Sequence, residues 1–246
     1  MNNIAYIPGY HANNVWGKYF IDWNCINPDV NIVVGINGAG KTTMLEHIYD
    51  FCAKAKKHDK FEAAELLFIP SIDNIVKADN RSKNTALTQM LLGFLQKDTT
   101  SMTLMQYRMQ ILDVPEKAKH ITTRIDKLIK VLNELFVRSN KRFEFEQGGL
   151  VVKNMQGEKI DVEMLSSGEK HMLIILLAVF LQDERTALVL MDEPENTMHI
   201  SWQRQLVEIL VDMNPNAQFI ITTHSPSLFG AGWGDKVVYM EDLIHL

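Results

Sequence analysis

The sequence predicts an α/β fold with a mostly parallel core sheet. Three stretches carry that prediction: residues 32–34 (IVV), 187–191 (ALVLM) and 219–221 (FII). Each is short and fully apolar, and each runs at once into glycine, acidic or hydroxyl residues. A strand that is apolar on both faces must be covered on both faces, which is the setting of a parallel sheet. Such sheets bind ligands beyond the carboxyl ends of their strands, so the residues following each run are the ones to read for chemistry.

In chain order, VWGKYFIDWN (15–24) is rich in aromatic and β-branched residues and is expected to form the first strands of an N-terminal antiparallel β part. NIVVGINGAGKTT (31–43) follows as a strand and a glycine-rich turn, and MLEHIYDFCAKA after it has helical character. Residues 66–69 form a further core strand, closed by Pro70 and Ser71. From 86 to 136 the apolar spacing suggests two or three helices with a break at Pro115. There Ile121, Ile125, Leu128, Ile129, Leu132 and Leu135 share one face, which is expected to pack on its own core rather than on a partner. KRFEFEQGGLVVKNMQGEKIDVEM (141–164) reads as a β-hairpin with glycine-containing turns. MLSSGEKHMLIILLAVFLQ (164–182) joins a Ser-Ser-Gly start to an oily helix, and serine is a good residue for starting one.

Gly35, Gly38, Gly40, Lys41 and Thr42 match the phosphate-loop pattern of glycine, four residues, glycine, lysine and a hydroxyl residue. Glycines let backbone N–H groups of Asn37, Gly38, Ala39, Gly40 and Thr43 converge on an anion, and the helix start adds partial positive charge. Lys41 would reach the β- and γ-phosphates, and the Thr42 hydroxyl would ligate Mg²⁺. This is the pattern of a nucleoside triphosphate site. Asp192 and Glu193 end the strand at 187–191. Asp192 would hold the Mg²⁺ shell through water, and Glu193 would polarise the attacking water as general base. The third strand ends in Thr222, Thr223 and His224, where His224 can meet the γ-phosphate and hold the water and Glu193 in position.

Bulk properties agree with an ordinary globular protein. The 246 residues suffice for one large α/β domain or two small ones, at 46% hydrophobic and 22% charged. The net charge of −5 excludes a surface that is basic throughout, although KAKKHDK (54–60) could touch DNA or RNA phosphates or could be a solvated helix end. Cys25 and Cys52 suggest neither a disulfide framework nor a metal cluster, which fits a reducing cytoplasm. MNNIAYIPGYHANN lacks a basic region followed by an apolar run, so no signal peptide is expected, and the longest oily run, near 171–181, falls short of the roughly 20 residues that span a bilayer. No membrane insertion is expected.

Together these residues resemble the ATP-binding-cassette ATPase superfamily. GINGAGKTT looks like its Walker A loop, LVLMDEP like Walker B with the catalytic glutamate, and TTHSP like the switch histidine. LSSGEKH then resembles the signature motif, more usually LSGGQ, lying 26 residues before Asp192. The resemblance implies a P-loop fold over 1–246 as a single domain, with a helical subdomain at about 80–140 that leads to the signature. It also implies that Ser166, Ser167, Gly168 and Glu169 act in trans, capping the γ-phosphate on the Walker A loop of a second subunit.

DEPENTMHISWQ and ITTHSPSLF are similar to the RecF, SMC and OLD-like branch, particularly the AbiEii-toxin-type AAA ATPases; Glu195, His199, Trp202 and Gln203 fit that pattern. The sequence ends 22 residues after His224, so the second catalytic domain of OLD-type nucleases is not expected. Lys41 and Ser166 are 125 positions apart without a sustained heptad, unlike the SMC arrangement. The Q-loop glutamine could be Gln89, Gln96, Gln106 or Gln110. Trp16, Tyr19 or Trp23 could stack on adenine, although aromatic residues on a strand are more often core. The implied function is an ATPase using ATP and Mg²⁺ that dimerises on ATP and drives a separate effector, a nuclease or toxin in phage defence or a DNA-repair machine. Nucleic acid is a further candidate partner. The alternative is the nucleotide-binding subunit of a membrane transporter, against which the signature variant and DEPENTMH speak.

Overall fold

The computed structural model describes residues 7–15, 19–57, 65–79, 83–95, 102–146, 149–230 and 232–245. The chain opens with strands β1 (Tyr10–Val15), β2 (Tyr19–Trp23) and β3 (Val30–Val34), then helix α1 (Lys41–Lys57), β4 (Glu65–Ile69) and α2 (Ile72–Asp79). Helices α3 (Lys83–Leu95), α4 (Leu104–Asp113) and α5 (Ala118–Phe136) follow, with a 3-10 turn at Pro115–Lys117 where the break was expected. Next come β5 (Lys141–Glu146), β6 (Gly149–Asn154), β7 (Lys159–Ile160) and α6 (Ser167–Phe180). The remainder is β8 (Ala187–Asp192), α7 (Ile200–Met213), β9 (Ala217–Thr223), α8 (Pro226–Phe229), β10 (Val237–Tyr239), α9 (Met240–Leu243) and β11 (Ile244–His245). The fold is α/β, as the apolar runs predict. Two compact units make it up: Met1–Asn74 with Gln182–Leu246, and Ile75–Leu181.

The first unit is built on a five-stranded sheet in the order β10-β3-β9-β8-β4, with every neighbouring pair parallel. Every residue of β8 and β9 is buried, which explains why they are oily runs rather than alternating strands. Met44, Leu45, Ile48 and Cys52 recur at helical spacing along α1 and belong to one core with Val33, Leu188, Leu190 and Ile220. The expected N-terminal antiparallel part is a three-stranded sheet, β1-β2-β11, whose third strand comes from the far end of the chain. Register sets the functional edge. Val34 lies opposite Thr223 and Asp192 opposite Thr222, so β3, β9 and β8 deliver their carboxyl ends side by side.

The second unit combines α3 to α6 with the antiparallel sheet β5-β6-β7, one strand more than the expected hairpin. On α5 the face predicted from spacing is buried at Ile121, Ile125, Leu128, Leu132 and Leu135, with Ile129 half-buried at its margin. Asn133 fastens α5 to β5: its side chain donates to Phe143 O at 3.0 Å and accepts from Phe143 N at 2.8 Å. Buried Arg124 of α5 donates to Phe180 O at 2.6 Å, where the last carbonyls of α6 need a partner and their dipole favours a cation.

Candidate active site

The loop between β3 and α1 is shaped by its glycines. Gly38 and Gly40 have φ of +83° and +89°, a region that residues with a side chain enter only with strain. The loop closes over a cavity of about 960 Å³ lined by Ile36 to Thr43, Tyr19, Glu193, Met240, Glu241 and Ile244. All seven predicted phosphate-loop residues, Asn37, Gly38, Ala39, Gly40, Lys41, Thr42 and Thr43, therefore line one space.

Lys41 is 5% exposed; its ammonium donates to Gly35 O at 2.9 Å and Ile36 O at 3.2 Å and stands 3.5 Å from Glu193 Oε1. The Thr42 hydroxyl donates to Asp192 Oδ2 at 2.8 Å, and the Thr222 hydroxyl donates to Asp192 Oδ1 at the same distance. Asp192 is thus held on both oxygens with 1% of its surface exposed. A hydroxyl and a carboxylate within hydrogen-bond reach, at the start of a helix beside a phosphate loop, form a hard-oxygen donor set of the kind Mg²⁺ takes. Mg²⁺ uses one or two protein oxygens and completes its shell with phosphates and water. Among the described residues no group of three or more His, Cys, Asp or Glu gathers to hold a metal without such help.

Glu193 turns out of the strand with φ +45°, its N–H bonded to Thr222 O at 3.0 Å. Its Oε2 accepts from Asn196 Nδ2 at 3.1 Å, and its Oε1 lies 3.3 Å from His224 Nδ1. Burial alone would push the Glu193 carboxyl up. The bonds from Asn196 and His224, with the charges of His224 and Lys41, outweigh it and hold the group below the usual carboxylate range. Glu195, two residues on, is 3% exposed and goes the other way: burial pushes it up despite bonds from the Thr223 hydroxyl and the His224 N–H.

The predicted signature residues belong to the second unit. Ser166 is the N-cap of α6: its hydroxyl accepts from Glu169 N at 3.3 Å, while Glu169 Oε2 accepts from Ser166 N at 2.8 Å, a complete capping box. Ser166 is exposed, Ser167 half-buried and Gly168 buried. Glu169 faces inward, its Oε1 accepting from Lys141 Nζ at 2.7 Å. Of the candidate glutamines, Gln106 closes a capping box with Thr103 and Gln110 contacts Met102; Gln89 is exposed on α3, and Gln96 lies outside the described residues. Of the candidate aromatics, Tyr19 lines the cavity, Trp23 is buried in the core, and Trp16 lies outside the described residues. In the basic run 54–60, residues 58–60 lie outside them too.

Residues 94–230, more than half of the chain, match the family described as "AAA domain, putative AbiEii toxin, Type IV TA system". The chain belongs to this family. Among curated proteins it is similar to the retron Vc95 probable ATPase of Vibrio cholerae, 30% identical over 38% of this chain and 20% of that one. It is also similar to the Septu protein PtuA of Bacillus thuringiensis, 23% identical over 83% of this chain and 68% of that one. The chain thus spans about a fifth of the first relative's length and about two thirds of the second's. Among solved structures it is similar to an SMC head bound to the C-winged helix domain of ScpA, at 14% identity, with a TM-score of 0.49 over 86% of this chain and 87% of that one. Among the described residues no helix is long and apolar enough to cross a membrane.

Sequence reading missed a wall of the cavity built by residues 240–244. Met240, Glu241 and Ile244 line the cavity because β10 pairs with β3 and β11 with β2. A Cβ on Gly35 would stand 2.9 Å from Met240 Cβ, so the first loop glycine is also what admits this wall. It missed the supports of the acidic pair as well: Thr222 on Asp192 and Asn196 on Glu193. The available signal was that Thr222 lies near the end of a strand able to neighbour β8.

Proposed function

We propose that this chain binds and hydrolyses ATP, dimerises around two ATP–Mg²⁺, and acts as a switch or motor for a separate effector in phage defence or DNA repair. The observation that carries the chemistry is the convergence of Lys41, Thr42, Asp192, Glu193 and His224 at the ends of three neighbouring strands: Lys41, Thr42 and Glu193 line one cavity, Asp192 is bonded to Thr42 and His224 stands against Glu193. Lys41 turns from Gly35 O and Ile36 O to the β- and γ-phosphates. Thr42 and Asp192 hold Mg²⁺, which offsets phosphate charge when bound. Glu193 takes the proton of the attacking water, and His224, bonded to it, meets the γ-phosphate. Once Lys41 is engaged by phosphate, its charge no longer holds the Glu193 carboxyl down, and Glu193 becomes the stronger base. Tyr19 and the Met240–Ile244 wall receive the adenine.

Ser166, Ser167 and Gly168 of one chain cap the γ-phosphate held by the other, with Glu169 and Lys141 fixing the turn from behind. The relatives named as a retron probable ATPase and a Septu protein support a role in phage defence, and the first of those names supports hydrolysis. The whole remains one domain in this reading, its second unit serving as the helical part that presents the signature.

Calorimetry of the purified chain with Mg²⁺ should show ATP binding, and a phosphate-release assay should show turnover. Lys41→Ala should lose both, because the main charge compensating the phosphates is gone. Unchanged nucleotide affinity in that variant would remove the phosphate-loop assignment.

A further inference from the structure

Glu195 stands at this edge beside Glu193 and His224 without a task in the proposed hydrolysis. Its carboxyl group is 3% exposed. Oε1 accepts the Thr223 hydroxyl and the His224 N–H, the latter at 3.3 Å, and lies 3.7 Å from His224 Nδ1. Oε2 has no hydrogen-bond partner. A buried carboxyl oxygen without a donor is costly, so this side chain is not a convenient filler of space. What it holds is informative. Thr223, clamped by Glu195, accepts Ser225 N at 2.9 Å, and the Ser225 hydroxyl donates to Gln203 Oε1 at 2.8 Å. Gln203 in turn donates to Met198 O at 3.1 Å, on the same turn that carries Glu193 and Glu195. The loop after β8 and the loop after β9 are therefore laced to each other, and the bond nearest the chemistry is the one from Glu195 to the backbone of His224.

We infer that Glu195 is a positioning residue for hydrolysis: through Thr223 and the His224 N–H it sets the backbone from which the His224 ring reaches Glu193, 3.3 Å away. It does not touch nucleotide, and it does not line the cavity. Its effect passes through His224, so it appears in turnover and not in binding.

The inference rests on the proposed ATPase site, and the test separates the two. Steady-state hydrolysis and ATP affinity are measured for wild type, His224→Ala, Glu195→Ala, the double variant and Glu195→Gln. Misplacing a reacting group by about 1 Å costs about 100-fold, so Glu195→Ala should lower kcat by about that factor with KM and ATP affinity unchanged. In the double variant it should add almost nothing to His224→Ala, because both remove one function. Glu195→Gln keeps an acceptor at Oε1 and should retain kcat to within a few-fold; it also keeps the inference testable if Glu195→Ala does not fold. Additive losses, a loss confined to KM, or a Gln variant as weak as the Ala variant would each overturn the inference while leaving the ATPase site intact. Wild-type hydrolysis in His224→Ala would overturn the role of His224 itself, and the inference with it.

Discussion

Glu193 and its immediate neighbours are where the residue scale matters most. A glutamate with φ +45° gives up the ordinary strand conformation, and such strain persists only where surrounding bonds hold it. Here they are the N–H bond to Thr222 O, the Asn196 bond to Oε2 and the pairing of Oε1 with His224 and Lys41. The same bonds keep the carboxyl ionised, which a proton acceptor requires. Glu193→Gln preserves the shape and the hydrogen-bond acceptor but cannot take the proton from water. It should leave ATP binding intact and reduce hydrolysis by about 10²–10⁴-fold, the usual span for a general base. A phosphate-release rate equal to wild type would assign the base to another group.

At the scale of elements, the start of α6 joins a helix cap to an ion pair. Burial alone would raise the Glu169 carboxyl; the bonds from Lys141 and Ser166 outweigh it and set the group below its ordinary value. A carboxyl lowered in the folded state contributes stability that is fully present above its unfolded pKa of about 4.3 and is lost as pH falls through the folded value. Lys141→Met removes the partner, so thermal unfolding should show this variant less stable than wild type at pH 7. The difference should shrink below pH 4.3 as Glu169 protonates in both chains. A gap of the same size at pH 3 as at pH 7 would mean that packing around Lys141, not charge, sustains the cap.

Legibility from sequence also divides by element. β3, β8, β9 and the phosphate loop could be read because each is a continuous run whose burial is written in its own composition. α5 could be read because its apolar spacing has the helical period. β10, α9 and β11 could not: they are three, four and two residues long, and the two strands exist through pairing with β3 and β2, some two hundred positions away. Glu195 could be read as part of a family pattern, but not as buried, since nothing local distinguishes a buried carboxylate from a solvated one.

For the whole molecule, the question is why an exposed Ser166 stands at the start of a helix whose following residues, from Gly168 to Phe180, are all buried. A capping box alone would account for a serine there, at a value of about 1 kcal/mol. If Ser166 to Gly168 also cap the γ-phosphate of a second chain, nucleotide lies between two subunits and ATP must drive association. The two-fold arrangement sets each Walker A loop against the other chain's signature. Glu193→Gln with ATP and Mg²⁺ should then run as a dimer in light scattering. Ser166→Arg, which puts a bulky side chain where phosphate must approach, should stay monomeric while binding ATP normally, because Lys41 and Thr42 lie on the nucleotide's own chain. Mixing Lys41→Ala with Ser166→Arg makes a heterodimer in which one composite site has an intact loop facing an intact signature, and the other site carries both lesions. Hydrolysis should partly recover in the mixture if one intact site can fire alone. A Glu193→Gln chain that remains monomeric at high concentration with ATP demonstrably bound would sink the shared site and leave Ser166 as a helix cap only.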